Sequence, residues 1–125
     1  MRSAALALAI APFVVLAALD LVVHRTTRKP HLAEDALHLV LGLSQLLLIV
    51  SAFRAEVPRI VLAALAVVVL GALDEFGFHH ALPARESDLH AKGHFALFGF
   101  VVVALAAATF PTIASVERAL GVVTP

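Results

Sequence analysis

The sequence contains no cysteine, no tryptophan and no tyrosine in 125 residues. Without cysteine there are no disulfides, no thiolate metal ligands and no cysteine nucleophile. Without tyrosine there is no tyrosyl chemistry, and the usual aromatic belt of a membrane protein is missing as well. Charge is also scarce. Charged residues make up 14% of the chain, against about 25% for a soluble domain. The formal net charge is zero, which removes any bulk electrostatic attraction to nucleic acid. No Gly/Ser-rich linker or low-complexity run divides the chain, so residues 1–125 read as one domain. No serine-nucleophile motif and no phosphate-binding loop is present.

What is present is apolar. Hydrophobic residues account for 62% of the chain, and the mean hydropathy is +1.01. Four continuous apolar runs each approach the ~20 residues that cross a bilayer core. The expected helices are residues 3–23, 32–53, 58–80 and 89–110, with an interfacial tail at 112–125. Pro12 falls inside the first run, where a membrane helix tolerates it. Residues 1–18, with Arg2 followed by an Ala-rich stretch, also have the outline of a signal peptide; we read them as a helix of the mature bundle. The connections are short, which forces neighbouring helices to run antiparallel. The fold class is therefore an all-α, up-down-up-down, four-helix transmembrane bundle. A barrel is excluded because the runs do not alternate. Small residues such as Gly42, Gly71, Ala63 and Ala104 permit close helix contact.

The ionisable residues fall in pairs spaced by four: Asp20 and His24, Glu34 and His38, Glu75 and His79, His90 and His94. In a helix, positions four apart share a face. The antiparallel topology puts the ends of helices 1 and 3 beside the starts of helices 2 and 4. All seven histidines are thereby gathered at one end of the bundle. Arg2, Arg54, Glu56, Arg59, Glu117 and Arg118 lie at the other.

Ionisable groups at this depth are costly unless they pair, meet water or bind an ion. Imidazole and carboxylate suit zinc or iron, whereas the absence of Cys and the single Met argue against copper(I). The expected metal ligands are His38, His79, His90 and His94, with Glu34 and Glu75 completing the shell. One or two ions, zinc or iron, fit such a set, and Glu34 and Glu75 are also the candidate catalytic carboxylates. Asp20, His24, Asp35, Asp74 and Asp88 are expected to orient the ligands. Glu-x-x-His and His-x-x-His-His spacings do not occur, so the pattern is neither that of carboxylate-bridged di-iron bundles nor that of membrane desaturases. Ser44 and Gln45 are expected to hydrogen-bond between helices, the alternative being that they line a cavity or ion path. Phe76, Phe78, Phe95, Phe98 and Phe100 lie close to the ligands in sequence and suggest an apolar substrate wall.

The sequence thus points to an integral membrane metal-binding protein, a metalloenzyme with a hydrolytic or oxidative role, acting on a lipid-like substrate. The competing readings are a metal transport, sensing or storage protein, and a small membrane haem b protein. A homo-oligomer is compatible with either. The Ala/Val/Leu/Arg-rich usage suggests a bacterial inner membrane. The basic cluster Arg25, Arg28 and Lys29 tips the site toward the cytoplasmic side.

Overall fold

The computed structural model describes residues 2–27, 31–78 and 82–110. They form four helices, α1 (Arg2–Thr27), α2 (Leu32–Arg54), α3 (Val57–Gly77) and α4 (Ala84–Thr109). Each is long and apolar enough to cross a membrane. No strand occurs among the described residues. The expected tail at 112–125 lies outside them.

Local chemistry explains the helix ends. At the start of α2, His31 adopts an extended backbone and its Nδ1 accepts the Ala33 N–H at 3.2 Å. Its own N–H donates to Glu34 Oε2 at 3.3 Å. This is a capping box with histidine in the usual Ser/Thr position. At the other end, Ala55 turns into the left-handed region with φ 60. Its N–H donates to Ala52 O and that of Glu56 to Ser51 O, which satisfies carbonyls left over by the helix. Pro58 sits in the first turn of α3, where its missing N–H costs nothing. α1 continues through Pro12.

The largest departure from expectation is the start of α4. It begins at Ala84, directly after Pro83, five residues before the predicted boundary. The polar run Arg85-Glu86-Ser87-Asp88 looks like a loop by hydropathy, yet Pro83 O already accepts the Ser87 N–H at 3.0 Å. One extra turn of helix follows, and it carries Glu86 into the bundle.

α1 packs chiefly along α4, and α2 along α3; the two pairs meet less extensively. One half of the interior is apolar, filled by Leu6, Ile10, Phe13, Leu48, Ile60 and Phe100. Buried Ala52, Ala63 and Ala104 complete it. Arg2 Nη2 donates to Ala52 O and ties the start of α1 to the end of α2. The outer surface is equally apolar: Leu8, Leu32, Phe76 and Phe95 are all mostly exposed. In water that surface would be a severe aggregation hazard. In a bilayer it meets lipid tails, and the chain is an integral membrane protein.

Gly42 and Gly71 do not serve close helix contact, contrary to expectation. A Cβ added at either would meet nothing within 4 Å. Both border open cavities instead.

Phe100 is completely buried whereas Phe95 is 78% exposed. Phe100→Ala is expected to lower stability by ~3 kcal/mol through the cavity it leaves. Phe95→Ala should stay within about 0.5 kcal/mol. Reversible unfolding in mixed detergent micelles measures both.

Candidate metal centre

Each helix contributes its polar end to the second half of the bundle interior. The last turns of α1 carry Asp20 and His24, and the first turns of α2 carry Glu34 and His38. α3 ends with Asp74 and Glu75. α4 opens with Glu86, His90 and His94, a stripe of residues four apart on one helical face.

The most deeply placed of these groups centre on His24. It is buried, as are Glu34, Asp74 and Glu86, each of the three carboxylates being 1% exposed. His24 Nδ1 lies 2.6 Å from Glu86 Oε1, and Nε2 lies 3.2 Å from Glu34 Oε1. With Glu86 ionised its oxygen can only accept, and the Nδ1–H then donates to it. A neutral imidazole then presents its Nε2 lone pair to the Glu34 oxygen. Two acceptors at that separation need a proton or a metal ion between them. His38 stands beside the pair, its ring centroid 5.2 Å from that of His24. Ligand atoms of His24, Glu34 and His38 all lie within 4.8 Å of one another. His38 Nε2 is in turn 3.1 Å from Asp74 Oδ2.

A second cluster surrounds His90. Its Nδ1 is 3.1 Å from Asp20 Oδ2 and its Nε2 is 3.6 Å from Glu75 Oε2. The His94 ring follows one turn later, 4.4 Å away between centroids. His24, His38 and Asp74 of the first cluster and Asp20, His90 and His94 of the second line a partly open cavity of about 270 Å³ inside the bundle, which also touches Gln45, Gly42 and Gly93 and has Phe13 and Leu41 among its apolar lining.

The residues singled out from sequence are distributed as follows. Glu34 and His38 meet in the three-residue group, and the third member is His24, which was expected only to support the ligands. His90, His94 and Glu75 belong to the second cluster, with Asp20 holding His90. Asp74 holds His38. Asp35 turns away to Arg25 at 2.7 Å, and Asp88 to Lys92 at 2.6 Å. Both are surface ion pairs. His79 lies outside the described residues. Ser44 donates to Val40 O of its own helix at 2.9 Å, while Gln45 lines the cavity instead of bridging helices.

Sequence reasoning missed Glu86. A signal was present, since Glu86, His90 and His94 share a four-residue spacing, but it appears only once α4 is extended back to Pro83. The phenylalanines divide among three environments. Phe100 is core, Phe95 faces lipid, and Phe76 and Phe98 border an external groove.

Comparison with known proteins finds no matching family model, no similar curated protein and no similar solved structure.

The buried His24–Glu86 contact and the exposed Arg25–Asp35 contact differ in their surroundings, and their energies should differ accordingly. A double-mutant cycle over His24→Ala and Glu86→Ala is expected to give a coupling of about 2 kcal/mol. The cycle over Arg25→Ala and Asp35→Ala should give less than ~1 kcal/mol. Unfolding midpoints of the variants in detergent supply the comparison.

Proposed function

We propose that the protein is a membrane metalloprotein that holds one divalent zinc or iron ion between His24, Glu34 and His38. The observation that carries this reading is the convergence of three ligand atoms within 4.8 Å of one another. A proton can join two of these atoms, whereas an ion joins all three. The surroundings support the reading. Glu86 on Nδ1 of His24 favours the tautomer whose Nε2 lone pair faces Glu34 as a ligand atom, as the outer carboxylates of metal sites do. Asp74 positions the His38 ring in a similar way.

Two imidazoles and one carboxylate form the donor set of hydrolytic zinc sites and of non-haem iron oxygenases. Both leave coordination positions open for water, dioxygen or substrate. Here the cavity lined by His24 and His38 provides the space. Such an ion supplies Lewis acidity or an activated oxygen ligand, so the protein is read as a metalloenzyme working at one membrane face. Asp20 and Asp74 are the carboxylates that line this cavity, while Glu75, half-exposed beside His90, lies on the groove between α3 and α4. Transport across the monomer fits less well, because Leu48, Ile60 and Phe100 fill the opposite half of the interior.

The test is titration of the chelated, detergent-solubilised protein with Zn2+, and with Co2+ as a spectroscopic stand-in. One ion per chain is expected. His24→Ala, Glu34→Ala and His38→Ala should each abolish or severely weaken binding, and Glu86→Gln should weaken it about 10- to 100-fold. Asp88→Asn, at the exposed pair with Lys92, should leave affinity unchanged. Failure to bind any ion, or wild-type affinity in the His24 and His38 variants, would refute the site.

A further inference from the structure

The lipid-facing surface is interrupted by a groove of about 580 Å³ between α3 and α4. Leu65, Val68 and Gly71 line it from α3, and Val101 and Leu105 from α4, while Glu75, Ser87, His90 and His94 close one end. His90 and His94 also border the interior cavity. They form a partition, with the groove on one side and the space beside the candidate metal ligands on the other.

We propose that this groove binds the single hydrocarbon chain of an amphiphile whose hydroxyl or primary amine head rests against Glu75 and His94. As a ligand, the amphiphile depends only on the groove; as a substrate, it also rests on the metal site proposed above.

Three features argue for this occupant. The first is size. From Val61 to Phe76 the groove follows α3 for about 22 Å at ~1.5 Å per residue. That exceeds the half-thickness of a ~30 Å bilayer core, so a full acyl-length chain fits. The volume holds roughly 20 methylene-sized groups if each takes the ~30 Å³ share of a liquid water molecule, which is one chain and not the two of a phospholipid. The second is polarity. Glu75 and His90 lie near the ends of their helices, at the depth of head groups, so a chain lying along the groove would put its own polar end beside them. The third is charge. Glu75 and Asp20 flank His90 within 3.6 Å, and they would repel a carboxylate head while accepting hydrogen bonds from a hydroxyl or an ammonium. Gly71 sits on the groove wall with open space beyond its Cα, which allows the chain to approach the backbone of α3.

Photo-crosslinking of the full chain in nanodiscs tests the proposal, using a long-chain diazirine alcohol and the matching amine and acid. Labels are expected on α3 and α4 peptides around Val68 and Val101. The alcohol or amine should compete at about tenfold lower concentration than the acid, the equivalent of ~1.4 kcal/mol. Gly71→Leu projects a side chain into the groove without meeting another atom at its Cβ, and it should remove most of the labelling. Val68→Trp, on the exposed wall, is a second block should the first variant fold poorly. Labelling is expected in both chelated and Zn2+-loaded protein, so failure of the groove and failure of the metal site are read separately. Labels spread evenly over all four helices, preference for the acid, or indifference to both blocking variants would overturn the proposal.

Discussion

A carboxylate inside a membrane bundle is expensive, and three are buried among the described residues: Glu34, Asp74 and Glu86, each 1% exposed. Bilayer hydrocarbon offers no water to share the charge, so the compensation has to come from neighbouring groups. The bundle meets this constraint by bringing histidines from other helices to the acids. His24 on α1 contacts Glu34 on α2 and Glu86 on α4, and His38 on α2 contacts Asp74 on α3. The strongest polar interactions therefore cross between helices, and two of the contacts, His24–Glu34 and His90–Glu75, join the two helix pairs that otherwise meet only sparsely.

This arrangement sorts the interior by depth. The apolar half, around Leu48, Ile60 and Phe100, is packed as a conventional core. The polar half encloses a cavity and exposes ligand atoms to it. In a membrane, apolar burial gives little drive for helix association, because lipid tails are as apolar as the side chains. Interhelical hydrogen bonds and an ion held in common are then the natural devices for fixing one arrangement. Stability and site geometry become the same problem, and a metal ion among His24, Glu34 and His38 would contribute to both.

Much of the fold was legible in the sequence because it depends on long-range composition. Four apolar runs, short connections and Pro58 suffice for the topology, and the topology alone gathers the histidines at one end. The start of α4 was not legible, because hydropathy cannot distinguish a polar loop from a polar helical turn. That missing turn hid Glu86. The inclusion of His24 in the three-residue group was hidden for a different reason. Spacing places Asp20 and His24 on one face, but which neighbour that face meets depends on helix pairing. Since α1 packs along α4, Asp20 reaches His90 while His24, one turn further on, reaches across to both Glu86 and Glu34. Asp35 and Asp88 lie against the cations Arg25 and Lys92, which spacing within the acid and histidine pairs does not indicate.

The central claim is that two imidazoles and one carboxylate from α1 and α2 share one metal ion. X-ray absorption at the metal edge of the Zn2+-loaded protein tests it most directly. The account predicts a low-coordinate nitrogen/oxygen shell at about 2.0–2.1 Å, with outer-shell scattering from two imidazoles, and loss of the metal or of one imidazole's scattering in His24→Ala and in His38→Ala. A shell without imidazole scattering, or one unchanged in both variants, would contradict it.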